Sequence, residues 1–64
     1  MAKYVAKFYD DGDCDYRLCV MNITEFTYRG NLVEYITRPD SAPVETVTVN
    51  TDKWTWYSMT RMED

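Results

Sequence analysis

From Cys14 to Tyr28 the even positions read Cys14, Tyr16, Leu18, Val20, Asn22, Thr24, Phe26 and Tyr28, and the phase never breaks. Strand side chains alternate between the two faces of a sheet, so a period of two sustained this long points to extended backbone. Two arrangements fit it: one long strand bent near Asn22, or two strands joined by a very short turn at Met21-Asn22. The bent strand is preferred. A strand crossing from one part of a sheet to another is how small sheets curl, and an irregularity between Met21 and Thr24 supplies the bend. A helical turn opening at Asn22 competes, but the β-branched Ile23 and Thr24 disfavour it.

The flanking segments follow the same logic. Lys3 to Tyr9 alternates, with Tyr4, Ala6 and Phe8 on one side. Asp10-Asp11-Gly12, with Gly12 left-handed, makes a three-residue loop that sets Phe8 opposite Cys14, Ala6 opposite Tyr16 and Tyr4 opposite Leu18. Lys7 then lies across from Asp15. Gly30-Asn31 offers a type II′ loop in which Tyr28 meets Val33, Phe26 meets Tyr35 and Thr24 meets Thr37. Arg38 to Pro43, with two prolines, is a loop. Thr46 to Tyr57 reads as a closing hairpin. A two-residue Thr51-Asp52 loop and a four-residue Asn50 to Lys53 loop give it one register, Val49 facing Trp54 and Val47 facing Trp56. These four form a core face, and Thr46, Thr48, Thr55 and Tyr57 the reverse.

The expected fold is all-β, a single β-rich domain over residues 1–64. Five to six short antiparallel strands in near-meander order would form a small open barrel or a strongly twisted sheet. The alternative is α+β, with a C-terminal helix capped by Asp52. The succession of Trp, Thr and Tyr after Lys53 favours a strand.

A 64-residue chain sits near the lower limit of independent folding, so a staple or a partner subunit would help it. Cysteine supplies no staple. Cys14 and Cys19, five apart on one strand, would be roughly 16 Å apart on opposite faces, against the ~5.5 Å between Cα atoms that a disulfide needs. Free thiols suit a reducing, cytoplasmic setting. Apolar runs are too short for a membrane span. Eleven acidic against seven basic residues give a net charge of −4, which disfavours nucleic acid as a partner.

The acidic run Asp10-Asp11-Gly12-Asp13-Cys14-Asp15 resembles a calcium loop only in part. Asp11, Asp13 and Asp15 fit its first three ligand positions, but Tyr16 follows where glycine is needed and Asn22 stands where glutamate should. No metal or cofactor is expected: two cysteines without a histidine complete no zinc site, and no histidine activates a cysteine nucleophile. Glu25 and Glu34 share a sheet face, but a fold this small leaves little room for a water-excluded pocket. No enzyme activity is expected.

Two tryptophans, six tyrosines and two phenylalanines are a large load for one thin core. The inner faces take most of them, and Cys14 packs there too. Tyr9, Tyr57 and Met59 fall outward with Val5, Leu32 and Ile36, where the fold gives them nothing to pack against. With Thr46, Thr48 and Thr55 these form the candidate binding surface. The function expected is therefore a small non-catalytic protein-binding module, an inhibitor or adaptor of an unidentified protein, able to form a homodimer. Economy of size suits a phage- or mobile-element-encoded blocker of a host enzyme or defence system. The alternatives are a single-strand nucleic-acid binder stacking bases beside Lys3, Lys7, Arg17 and Arg29, or an acidic nucleic-acid mimic.

Overall fold

The computed structural model of the chain describes residues 2–12 and 14–62. Its strands are β1 (Tyr4–Tyr9), β2 (Leu18–Arg29), β3 (Leu32–Thr37), β4 (Glu45–Asn50) and β5 (Trp56–Arg61), with one 3-10 turn at Thr51–Lys53. They form a single antiparallel sheet in the order β4-β3-β2-β1-β5. The fold is all-β and the sheet does not close, since β4 and β5 end it on either side. The C-terminal helix of the α+β alternative does not form. Among the described residues no helix is long and apolar enough to cross a membrane.

The long strand is the joint of the molecule. The part of β2 from Leu18 to Ile23 pairs with β1, and the part from Ile23 to Arg29 pairs with β3. The bend lies where the sequence places it. Asn22 sits at φ +60°, and the registers slip on both sides of it, between Tyr4 and Ala6 on the β1 side and between Ile23 and Glu25 on the β3 side. Asparagine tolerates left-handed backbone better than other non-glycine residues because its short polar side chain bonds locally. Two irregularities this close together cancel. Leu18 and Val20 share their face with Phe26 and Tyr28, as the alternation requires, but Ile23 takes the buried position between them. Ile23 therefore meets Thr37, where Thr24 was expected. The Asn22 carbonyl, freed from the ladder, accepts the Arg38 N–H at 2.9 Å.

The Gly30-Asn31 turn has its glycine at φ +61° and the expected pairs, Tyr28 with Val33 and Phe26 with Tyr35. The β1–β2 connection keeps its left-handed Gly12, at φ +79°, but is longer than three residues. Phe8 pairs with Leu18, Ala6 with Val20 and Lys7 with Cys19. The register is thus displaced by four residues. An even displacement leaves the faces unchanged while exchanging Cys14 and Tyr16 for the better core residues Leu18 and Val20. Cys14 is accordingly exposed in the loop and not packed inside.

The closing hairpin does not form. β4 pairs with β3 and β5 with β1, at opposite edges of the sheet. Thr51-Asp52 lacks the glycine or asparagine at positive φ that a tight two-residue hairpin needs. Asn50 instead caps the 3-10 turn, its side chain accepting the Asp52 N–H at 3.0 Å. Thr51 donates its N–H and its hydroxyl to the Asn31 carbonyl at 2.8 and 3.0 Å, which carries the chain past the β2–β3 turn toward β1. The core is Ala6, Phe8, Val20, Ile23, Val33, Tyr35 and Val49, with Tyr4, Leu18, Val47, Trp54 and Met59 packed around it. Burying each large apolar side chain of this set contributes about 1.5–3 kcal/mol.

Candidate functional site

Alternation along β1 sends Phe8 and Ala6 inward, so Val5, Lys7 and Tyr9 face outward. Pairing carries the same outward face across the neighbours. Trp56 lies beside Tyr9, Ser58 and Cys19 beside Lys7, and Thr60 beside Val5, with Met21 in the bulge opposite. Trp56 and Tyr9 stack almost parallel, their ring centroids 3.8 Å apart at 4°. The Lys7 ammonium sits 5.1 Å from the centroid of the Tyr16 ring, a cation-π contact reaching from the strand to the acidic loop. Trp56, Tyr16 and Met21 are each about half exposed, at 50%, 48% and 52%. The result is a platform of large side chains contributed by β5, β1, β2 and the β1–β2 loop.

The other half of the sheet turns a different face to solvent. Glu25 and Thr27 of β2, Glu34 and Ile36 of β3, and Thr46 and Thr48 of β4 lie in cross-strand rows. Arg29 pairs with Glu34 at 2.8 Å and Arg38 with Glu25 at 3.4 Å. The two carboxylates that share this face thus stand each beside an arginine.

The expected surface residues are divided by this arrangement. Tyr9 belongs to the aromatic platform. Leu32, Ile36, Thr46 and Thr48 lie on the outward face of the other half, and Thr55 stands exposed just before β5 with its N–H on the Tyr9 carbonyl at 3.0 Å. Tyr57 and Met59 point inward. Tyr57 stacks on Phe8 at 5.3 Å and Met59 packs on the core beside Ala6. The faces of Trp56 and Tyr57 are therefore the reverse of the expectation, because pairing with β1 rather than β4 sets the phase of β5. Trp56, Tyr16 and Met21 were missed as surface residues. No local signal sets Tyr9 opposite Trp56, because β1, β3, β4 and β5 are all six residues long.

At the inner end, the Tyr28 and Tyr57 hydroxyls bond at 2.7 Å and tie the end of β2 to β5. That bond, aided by partial burial, pushes the Tyr28 hydroxyl up to about 12 from its ordinary 10.0. Tyr35 is fully buried and its hydroxyl finds no partner, and this desolvation raises its pKa as well. The loop carboxylates Asp10, Asp11 and Asp15 are exposed, and Asp13 lies outside the described residues. Among the described residues no three metal-binding side chains converge. A groove of about 290 Å³ opens between the first half of β2 and β4, lined by Leu18, Val20, Thr37, Glu45 and Val47 among others. No protein-family model, no curated protein and no solved structure matches the chain.

Proposed function

We propose that the protein is a non-catalytic binding module that occupies an unidentified partner protein, as an inhibitor or adaptor, through the outward face of β5, β1 and the first half of β2. The stacked Trp56–Tyr9 pair carries this reading. Tryptophan, tyrosine and arginine dominate the energetics of interfaces, and side chains already fixed by stacking lose little entropy on binding. Met21 and Tyr16 extend the apolar centre, and the exposed Asp10, Asp11 and Asp15 supply a polar rim on the adjoining loop. The test is capture from host extract with two folded baits, the wild type and Trp56→Ala. A partner held by the wild type and lost from Trp56→Ala supports the platform; equal capture by both assigns binding elsewhere.

Single-strand nucleic-acid binding is the second reading, favoured by Lys7 lying within the aromatic platform. It is the weaker one. Of the basic residues that would serve it, Lys3 is paired with Asp40 at 2.8 Å and Arg29 with Glu34. Retention of labelled oligothymidine at low salt, lost as salt rises, would favour it over a protein partner.

A further inference from the structure

We propose that the chain pairs with a second copy of itself, antiparallel, along the outer edge of β4. Among the described residues no strand lies on that side of β4. The Thr51 N–H bonds the Asn31 carbonyl, and Leu32 stands opposite Asn50, which fixes the phase of the ladder. Glu45, Val47 and Val49 exchange their backbone bonds with β3, so the backbone groups of Thr46, Thr48 and Asn50 point away from the sheet. Edge strands usually carry lysine, proline or a bulge against such pairing. Glu45–Asn50 has none of these and continues its register with β3 unbroken. The other edge, β5, ends in Arg61.

The sequence of β4 is complementary to itself. With Thr48 on a two-fold axis, Thr48 meets Thr48 of the second copy, Thr46 meets Asn50 and Val47 meets Val49. Every outward-pointing backbone then meets another, Thr48 lies on Thr48 between two Thr46–Asn50 pairs on one face, and valine lies on valine on the other. Glu45 comes opposite Thr51, so no like charges are apposed. The acidic loop belongs to the β1–β2 connection, two strands away from β4 in the sheet order, and physiological salt screens charges beyond ~8 Å. The groove beside this edge, lined by Leu18, Val20 and Val47, gains the second copy's valines as further apolar cover. This pairing uses a different surface from the aromatic platform and does not rest on the function proposed for it.

Sedimentation equilibrium over rising concentration tests the idea with the chain alone. The average mass should climb from 7.6 kDa toward twice that as the protein approaches about 1 mM, the strength expected of a few edge hydrogen bonds. Thr48→Pro removes one outward N–H while leaving the β3 bonds intact, and Thr48→Lys sets two cations together on the axis. Both variants should stay monomeric with an unchanged near-ultraviolet circular dichroism spectrum. Should the proline unfold the strand, the lysine variant decides alone. A wild type that remains at 7.6 kDa near 1 mM overturns the proposal, as do folded variants that dimerise like the wild type. A monomeric wild type whose protein partner is lost on Thr48→Lys also overturns it and gives the edge to that partner.

Discussion

On the outward face of β5, β1 and the first half of β2, Trp56 lies flat on Tyr9, Lys7 reaches over Tyr16, and Met21 stands half exposed. On the outward face of the second half of β2, β3 and β4, threonines and ion pairs predominate around Leu32 and Ile36, with Thr48 beside Glu34 and Glu34 bonded to Arg29. Both faces belong to one sheet and both back onto the same core. Sheet geometry therefore does not explain the difference. Threonine and paired charge satisfy strand preference and solvation together, whereas an exposed tryptophan leaves apolar area in water that strand formation alone does not require. The contrast is what supports proposing the first face, and not the second, as the binding surface.

The sharpest way to break this contrast is to exchange inside for outside within one half. Phe8 is fully buried and touches Tyr35, Trp54 and Tyr57, while Trp56, on the neighbouring strand, is half exposed. Phe8→Ala should cost about 3–5 kcal/mol, enough to unfold a domain of this size. Trp56→Ala should cost about 1 kcal/mol, the worth of one stacked pair. Urea denaturation compares them directly. If Trp56→Ala unfolds the chain as Phe8→Ala does, the assignment of faces is reversed.

The joint between the halves comes next. Asn22 holds a left-handed conformation that costs most side chains roughly 1–2 kcal/mol. Asn22→Val should destabilise by about that amount, and Asn22→Gly should leave the urea midpoint near its wild-type value. Equal losses in both variants would place the importance of Asn22 in its side chain and not in its backbone.

The fold was legible where local chemistry and tertiary pairing agree. The Gly30-Asn31 turn, the left-handed Gly12 and the bend near Asn22 all follow from residues that tolerate unusual backbone. Faces within β1 and β3 followed from alternation alone. What escaped depends on which strands meet. The residues from Thr46 to Tyr57 pair well with each other on paper, yet they pair better with β3 and β1, and no local pattern ranks those options. That single exchange turned Trp56 outward and turned Tyr57 and Met59 of the expected surface inward. The double slip around Asn22 was hidden for another reason: two irregularities restore the phase, so the even positions look continuous while Ile23 occupies the core.

A smaller effect, of opposite sign, is expected from the Tyr35 hydroxyl in the core. The Tyr35 hydroxyl is buried without a hydrogen bond, a state that costs about 1–3 kcal/mol. Tyr35→Phe should keep the ring contacts with Phe8 and Phe26 and stabilise the protein by about 1 kcal/mol. A loss of stability would reveal a bonded hydroxyl in solution. The Tyr28–Tyr57 bond that ties the two halves gives a pH signature. Because folding raises the Tyr28 pKa, its contribution is complete below pH 10.0 and disappears as pH climbs through about 12. Tyrosinate absorbance should show Tyr28 and Tyr35 ionising late, and Tyr28→Phe should remove one late step and leave that of the buried Tyr35. An unchanged amount of late-ionising tyrosine in Tyr28→Phe would dismiss the role of the Tyr28–Tyr57 bond.

The smallest effect should come from the threonine-rich face. Arg29 and Glu34 are bonded at 2.8 Å, but the arginine side chain is 72% exposed, so water and salt screen the pair. Exposed pairs of this kind contribute about 0–1 kcal/mol. Arg29→Gln should therefore move the urea midpoint barely at all, and added salt should shrink even that shift. Its effect on partner capture should be equally slight, in contrast with Trp56→Ala, whose stability cost is also modest but whose binding loss should be complete. A pair of variants with similar stability and opposite binding behaviour separates the two faces by function. If Arg29→Gln were the one to lose the partner, the charged face would be the contact surface, and the stacked aromatics would serve only to shield the outer side of β1.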